Sequence, residues 1–147
     1  MKRVLGLDVG DQRIGVAISD ELRITTRGLL TIERTNTKED IKKIADIAAE
    51  NKCSGVVMGL PLNVSGEDSK QTEKVRLFAR KLVNKFYAFP KEERIKVYLW
   101  DERYSTVTAD ELMDEAGVKK DKKKKIIDQQ AACVILEDWI DNNRDVE

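Results

Sequence analysis

Val4-Leu5-Gly6-Leu7-Asp8-Val9-Gly10-Asp11-Gln12-Arg13-Ile14-Gly15-Val16-Ala17-Ile18-Ser19 consists of two apolar runs with a short polar break between them. Val4 to Val9 has the composition of a buried strand and is ended by Gly10. Arg13 to Ser19 reads as a second strand. The break, Asp11-Gln12 after Gly10, has hairpin spacing. The stretch therefore predicts an antiparallel pair near the start of the chain.

Further along, Thr25 to Glu33 reads as a third strand. Thr37 to Asn51 reads as a helix, because Ile41, Ile44, Ala45 and Ala48 recur at helical spacing and Asn36 or Thr37 can cap it. Ser54 to Met58 reads as a fourth strand, stopped by Gly59-Leu60-Pro61. A polar loop from Asn63 to Lys70 leads into a helix with Val75, Phe78, Ala79 and Leu82 on one face. Ile95 to Trp100 reads as a fifth strand. Ser105-Thr106 opens a helix that ends near Ala116 at Gly117. A last helix covers about Lys124 to Asn142. A meander followed by alternating helix and strand predicts an α/β fold, a mixed sheet covered by helices. No internal repeat or low-complexity linker interrupts it, so residues 1–147 are expected to form a single domain.

Composition narrows the chemistry. Of the residues, 41% are apolar and 37% charged, which allows one core under a heavily charged surface. No apolar run is long enough to span a membrane, and the N-terminus lacks the features of a signal peptide, so a cytoplasmic location and no membrane partner are expected. Cys53 and Cys133 are distant in sequence and read as small core residues. There is no histidine. That excludes Ser-His-Asp and Cys-His catalysis and histidine-bound zinc, and leaves carboxylates, lysine, hydroxyls or a bound metal. Net charge is zero, yet Lys119-Lys120-Asp121-Lys122-Lys123-Lys124-Lys125 is a dense cationic run. Such a run suits a phosphate backbone and equally suits a solvated loop.

Three carboxylates stand in unusual places. Asp8 lies in the most apolar strand, where a carboxylate is costly unless paired or coordinated. Position alone also allows it to start a turn. Glu102 follows the fifth strand, where functional groups gather in open sheets, although a solvated Asp-Glu-Arg cluster fits too. If the strand persists, Asp101 and Glu102 face opposite ways. Asp128 precedes Ala132, Ile135 and Trp139 by four, seven and eleven residues, which puts it on the helix face that packs inward. Its bland alternative is an ion pair with Lys124 or Lys125. Carboxylates that converge repel one another unless a cation binds, and hard oxygen donors suit Mg²⁺ or Mn²⁺.

These motifs resemble a known family. Leu5-Gly6-Leu7-Asp8-Val9-Gly10 with Arg13 to Asp20, Val57-Met58-Gly59-Leu60-Pro61-Leu62-Asn63 with Gly66, Trp100-Asp101-Glu102-Arg103-Tyr104-Ser105-Thr106, and Lys124 to Asp128 with Ala131-Ala132 and Ile135-Leu136 resemble, in order, the signatures of the YqgF/RuvX family, relatives of the Holliday junction resolvase RuvC. The resemblance implies an RNase H-like fold with a five-stranded mixed sheet, its first three strands antiparallel, flanked by helices. It implies that Asp8, Glu102 and Asp128 are the catalytic and metal-binding positions. It also implies a nuclease acting on pre-16S rRNA 5′ ends, with a Holliday junction resolvase-like activity on branched DNA as the alternative. RuvC-type sites often carry a fourth carboxylate, and here Gln129, Gln130 and Ala131 follow Asp128.

The expected mechanism is hydrolysis of phosphodiester bonds in structured nucleic acid, by a monomer or weak homodimer. Lys119, Lys120, Lys122, Lys123, Lys124 and Lys125 would grip the backbone. Arg13 and Arg103 would contact the scissile phosphate or pair with a neighbouring carboxylate. Gly59 and Pro61 would shape a loop beside the site, and Trp100 and Trp139 would belong to the core. Two other classes stay open. The Asp8 hairpin also resembles the phosphate loop of the sugar kinase and actin superfamily, and the basic run suits a non-catalytic RNA-binding ribosome-assembly factor.

Overall fold

The computed structural model describes residues 2–102 and 120–146, the first three of the second stretch as backbone alone. The strands are β1 (Arg3–Val9), β2 (Arg13–Ser19), β3 (Thr26–Glu33), β4 (Cys53–Leu60) and β5 (Lys96–Asp101). The helices are α1 (Thr37–Glu50), α2 (Lys70–Phe86) and α3 (Lys120–Asn142), with a short 3₁₀ turn at Lys91–Glu93. The sheet order is β3-β2-β1-β4-β5. β1, β2 and β3 are antiparallel neighbours, whereas β4 runs parallel to β1 and β5 parallel to β4. This is the expected mixed five-stranded sheet with an antiparallel start.

The β1–β2 hairpin forms where its pattern places it. Gly10 N–H donates to the Arg13 carbonyl at 2.9 Å, closing the turn. Arg34, just past β3, pins that turn from outside by donating to the Gly10 carbonyl at 3.0 Å. Its Nε also donates to Asp40 Oδ2 at 3.0 Å. Asp40 is fully buried, so this pair ties the hairpin to the first turn of α1. Asn36 caps α1 by accepting from Glu39 N–H. A reciprocal Ser69–Thr72 capping box starts α2.

Strand alternation divides the core into two layers. Leu5, Leu7, Val9, Ile14, Val16 and Met58 face α1 and α2, which contribute Ile41, Ile44, Val75, Phe78 and Leu82. Val4, Ala17 and Val57 face α3, which contributes Ala132, Ile135, Leu136, Trp139 and Ile140. Cys53 and Cys133 are buried free thiols, and burial pushes each up to about 11. Trp139 is a core residue and half-buried Trp100 packs against the same cluster. Among the described residues, no helix is long and apolar enough to cross a membrane.

Two boundaries depart from expectation by more than one residue. β4 does not stop at Met58 but continues through Gly59 and Leu60, because both pair with β5, at Trp100 and Asp101. A non-local ladder outweighs the local Gly-Leu-Pro signal. α3 begins at Lys120 instead of near Lys124, so most of the lysine run is helical. Lysine is a good helix former, and Asp121 sits in the first turn, where the helix dipole favours an acid. The helix expected over 105–116 lies outside the described residues.

α3 crosses the sheet unusually close to its backbone. A Cβ added at Gly15 would lie 1.9 Å from the Asp128 carbonyl oxygen, and one at Gly6 would lie 2.7 Å from the Ala132 carbonyl oxygen. Neither obstacle is a side chain that can turn away. At Gly28 the nearest atom is Oε1 of the Gln129 side chain, at 2.6 Å. Gly15→Ala is therefore expected to cost about 3 kcal/mol, the upper range for overpacking, and Gly28→Ala clearly less. Denaturant unfolding of the two variants checks this, and equal losses would contradict the close approach.

Candidate active site

Asp8 lies within β1, paired across the hairpin with Gly15. Its place in the ladder removes the reading of Asp8 as a turn starter. Alternation from Val4 and Gly6 turns its carboxylate toward α3. In that direction it faces Asp128, because the α3 backbone rests on Gly15 at that residue. The sequence phase of Asp128 is confirmed by its helix: Ala132, Ile135 and Trp139 are all buried against the sheet.

Glu102 follows the end of β5 with the parity of Tyr98 and Trp100, both packed on the α3 side. Its carboxylate lies over Gly59, where a Cβ would come within 2.2 Å of Oε1. Gly59 is one residue beyond the last β1–β4 pair, Leu7–Met58, so it sits between Asp8 and Glu102 in the sheet. Two glycines thus flank Asp8, Gly15 on β2 and Gly59 on β4. With no side chains there, one carries the helix and the other the Glu102 carboxylate. Gly59 is part of the sheet floor, not a loop residue. Pro61 does end the strand, and its carbonyl accepts from Thr72 Oγ1 at the start of α2.

The electrostatics are those of acids crowded together. Burial, then the charge of Asp128, pushes Asp8 up to about 6. Burial, then Asp8, then Asp101, pushes Glu102 up to about 7. Asp101 acts on Glu102 although it faces the other way, an effect that alternation alone does not anticipate. Asp128 has a partner: Arg13 Nε donates to its Oδ2 at 2.7 Å. Arg13 shares the face of Gly15, so the same packing that seats the helix delivers Asp128 to it. Of the two readings open for Arg13, the ion pair is the arrangement observed. Asp128 pairs with neither Lys124 nor Lys125. Lys125 lies 3.7 Å from Glu33, both exposed.

Arg103 and Lys119 lie outside the described residues, as do the side chains of Lys120 and Lys122. Lys123 and exposed Lys124 lie on α3 about one turn before Asp128. Gln129, in the position next to Asp128, donates to Thr31 Oγ1 at 3.1 Å and packs over Gly28. Its role is to fasten α3 to β3.

Among the described residues, no three acidic or thiol side chains are grouped as a ready-made metal cage. Arg13 draws the Asp128 carboxylate to itself. The donor chemistry nevertheless fits a hard divalent cation. Asp8 and Glu102 offer carboxylate oxygens, each is held in a form costly to ionise without a counter-charge, and the glycine floor leaves their approach unobstructed.

A pH dependence follows for the metal-free protein. Both folded-state values lie above the unfolded ones, so the folded chain holds these protons more tightly. The associated stability is fully present below about pH 4. It is lost as pH rises from 3.8 to about 6 for Asp8 and from 4.5 to about 7 for Glu102. Partial exposure reduces the effect to about 2 kcal/mol per group. Asp8→Asn should therefore raise the melting temperature of the metal-free protein at pH 8 by a few degrees and leave it nearly unchanged at pH 4. Thermal melts in chelator decide the matter, and a destabilised Asn variant at pH 8 would contradict the crowding.

A family model described as "RuvX: Holliday junction resolvase" matches residues 2–142. The chain is 46% identical over 140 residues to a Clostridium tetani protein named "Putative pre-16S rRNA nuclease", covering 95% of this chain and 96% of that one. It is 41% identical over 142 residues to a Myxococcus xanthus protein of the same name, covering 97% and 89%. Among solved structures it is similar to Thermus thermophilus RuvC in complex with a Holliday junction substrate, with TM-score 0.57, 17% identity, and coverage of 93% of this chain and 91% of that one. The yeast mitochondrial Holliday junction resolvase gives TM-score 0.56 at 14% identity, covering 95% and 78%. At these identities the structures bear on the fold, which is the RNase H-like one, and the sequence matches carry the kinship. The chain belongs to the RuvX family, a family of nucleases.

Proposed function

We propose that this chain is a divalent-metal-dependent nuclease that hydrolyses phosphodiester bonds in structured RNA, in maturation of the 5′ end of pre-16S rRNA in the cytoplasm. The observation that carries the chemistry is the placing of Asp8 between Gly15, on which the Asp128 backbone rests, and Gly59, over which the Glu102 carboxylate lies, with Asp8 and Glu102 both raised above the usual carboxylate range. The name shared by relatives at 41–46% identity supports the substrate. Asp8 and Glu102 would hold Mg²⁺ or Mn²⁺, with Asp128 completing the set. What such an ion supplies is positive charge against the leaving oxygen and a bound water made more acidic.

The chain's own groups then divide the work. Asp8 and Glu102 would supply the carboxylate oxygens that hold the ion at the ends of β1 and β5. Arg13 offsets part of the repulsion between Asp128 and Asp8 while the site is open, and its guanidinium can pass to a non-bridging phosphate oxygen when substrate arrives. Lys123, Lys124 and Lys125 grip the flanking backbone from the start of α3, and Lys119, Lys120 and Lys122 are assigned the same role. Arg103 is assigned to the scissile phosphate. The histidine-free composition suits this division, since no step needs a neutral-pH base other than a carboxylate.

Cleavage of a pre-16S rRNA fragment and of a four-way DNA junction, each with Mn²⁺ or Mg²⁺, tests the proposal. Wild type should cut the RNA, and Asp8→Asn or Asp128→Asn should lower the rate by at least about 100-fold. Cutting of the junction in preference to RNA would move the substrate to branched DNA. Cleavage that survives both substitutions would overturn the site. Replacing Lys123 and Lys124 by Gln should flatten the salt dependence of RNA binding by about two units of slope at most.

A further inference from the structure

Behind the β1–β2 hairpin, on the sheet face opposite Asp8, lies a cavity of about 350 Å³. Its position follows from strand alternation. Asp8 faces α3, and Val9, the next residue, faces the other way and lines the cavity. The two Cα atoms are about 3.8 Å apart, so cavity and carboxylates are the front and back of one strand end. The hairpin turn is the rim between them, and Asp11 of that turn also lines the cavity.

The walls combine two kinds of chemistry. Val9, Val75 and Phe78 supply an apolar side, and Leu77, 48% exposed, extends it to the mouth. Lys74 and Lys81 stand on the same helix two turns apart and supply positive charge. Lys74 reaches only a loose, exposed contact with Asp11, at 3.5 Å. Lys81 makes no ion pair among the described residues. The floor includes Arg34, whose Cζ lies over the Phe78 ring, 5.2 Å from its centroid. Its guanidinium is pinned by Asp40 Oδ2, the Gly10 carbonyl and Thr37 Oγ1, so it is a rigid plane and not a mobile charge. A guanidinium plane backed by an aromatic ring is a surface on which a nucleobase stacks, and lysines at the mouth suit its phosphate.

We infer that this cavity is a subsite for one unpaired nucleotide of the substrate strand, its base on Arg34 and the apolar wall, its phosphate on Lys74 and Lys81. The inference rests on the nuclease reading for the identity of the strand and deepens it. A strand with its scissile phosphate at Asp8 passes over the hairpin rim and leaves a nearby nucleotide in the cavity. The chain would thereby favour cleavage sites beside single-stranded RNA over sites inside a continuous duplex.

Fluorescence anisotropy with a labelled single-stranded pentaribonucleotide, in EDTA, reads the subsite without any cleavage. Lys81→Glu should weaken binding about tenfold, and Lys74→Glu with Lys81→Glu further. Lys43→Glu, the same charge change at an exposed position of α1 that does not line the cavity, should alter it less than twofold. A 2-aminopurine at the centre of the oligomer should lose fluorescence on binding wild type as it stacks. The subsite is overturned if Lys43→Glu weakens binding as much as Lys81→Glu, or if wild type does not bind the pentamer saturably. Both results are independent of whether Asp8→Asn abolishes cleavage, so the two proposals fail separately.

Discussion

The close seating of α3 on the sheet is the constraint from which the site follows. The Asp128 carbonyl rests where a Gly15 side chain would be, and the Ala132 carbonyl crowds Gly6 in the same way. Burial of Leu136, Trp139 and Ile140 on Val4, Ala17 and Val57 supplies the drive for this contact. The cost falls on the polar end of the helix, where seating brings Asp128 beside Asp8. Apolar packing at one end of α3 thus holds together, at the other, acids that would separate if free. Arg13 relieves part of the repulsion by taking Asp128 as its partner. Burial first, and the neighbouring acids second, hold Asp8 and Glu102 above the usual carboxylate range.

What was legible in the sequence was local and periodic. The hairpin follows from alternation and a short break, and β2 runs over Arg13–Ser19 as read. The inward phase of Asp128 follows from its spacing to Ala132, Ile135 and Trp139, and the parity of Glu102 against Asp101 from its strand. What was not legible depends on partners far along the chain. The extension of β4 through Gly59 needs β5, about 40 residues later. The choice of Arg13 by Asp128 spans 115 residues, and helix spacing offers nearer lysines instead. Gly15 and Gly59 were visible as glycines, but their value as floor beneath a helix carbonyl and a carboxylate appears only when the layers are stacked. The kinship was legible because its motifs are short, ordered and carried by these same packed positions.

The hairpin has a second consequence. Its turn is fastened by Arg34, whose guanidinium also anchors α1 and backs onto Phe78. Strand β1 therefore ends at a stiff edge with acids on one face and a basic, partly apolar hollow on the other. A rigid edge suits a site that must hold carboxylates against their own repulsion. It also gives a flexible strand of nucleic acid a fixed surface to fold over, which a mobile turn would not.

The central claim is that Asp8, Glu102 and Asp128 act together as the ligands of one divalent-ion site. Titration of the intact protein with Mn²⁺, followed by electron paramagnetic resonance of the free ion, tests it most directly. The account predicts saturable binding that Asp8→Asn, Glu102→Gln and Asp128→Asn each weaken by about tenfold or more. Mn²⁺ affinity unchanged by all three substitutions would contradict it.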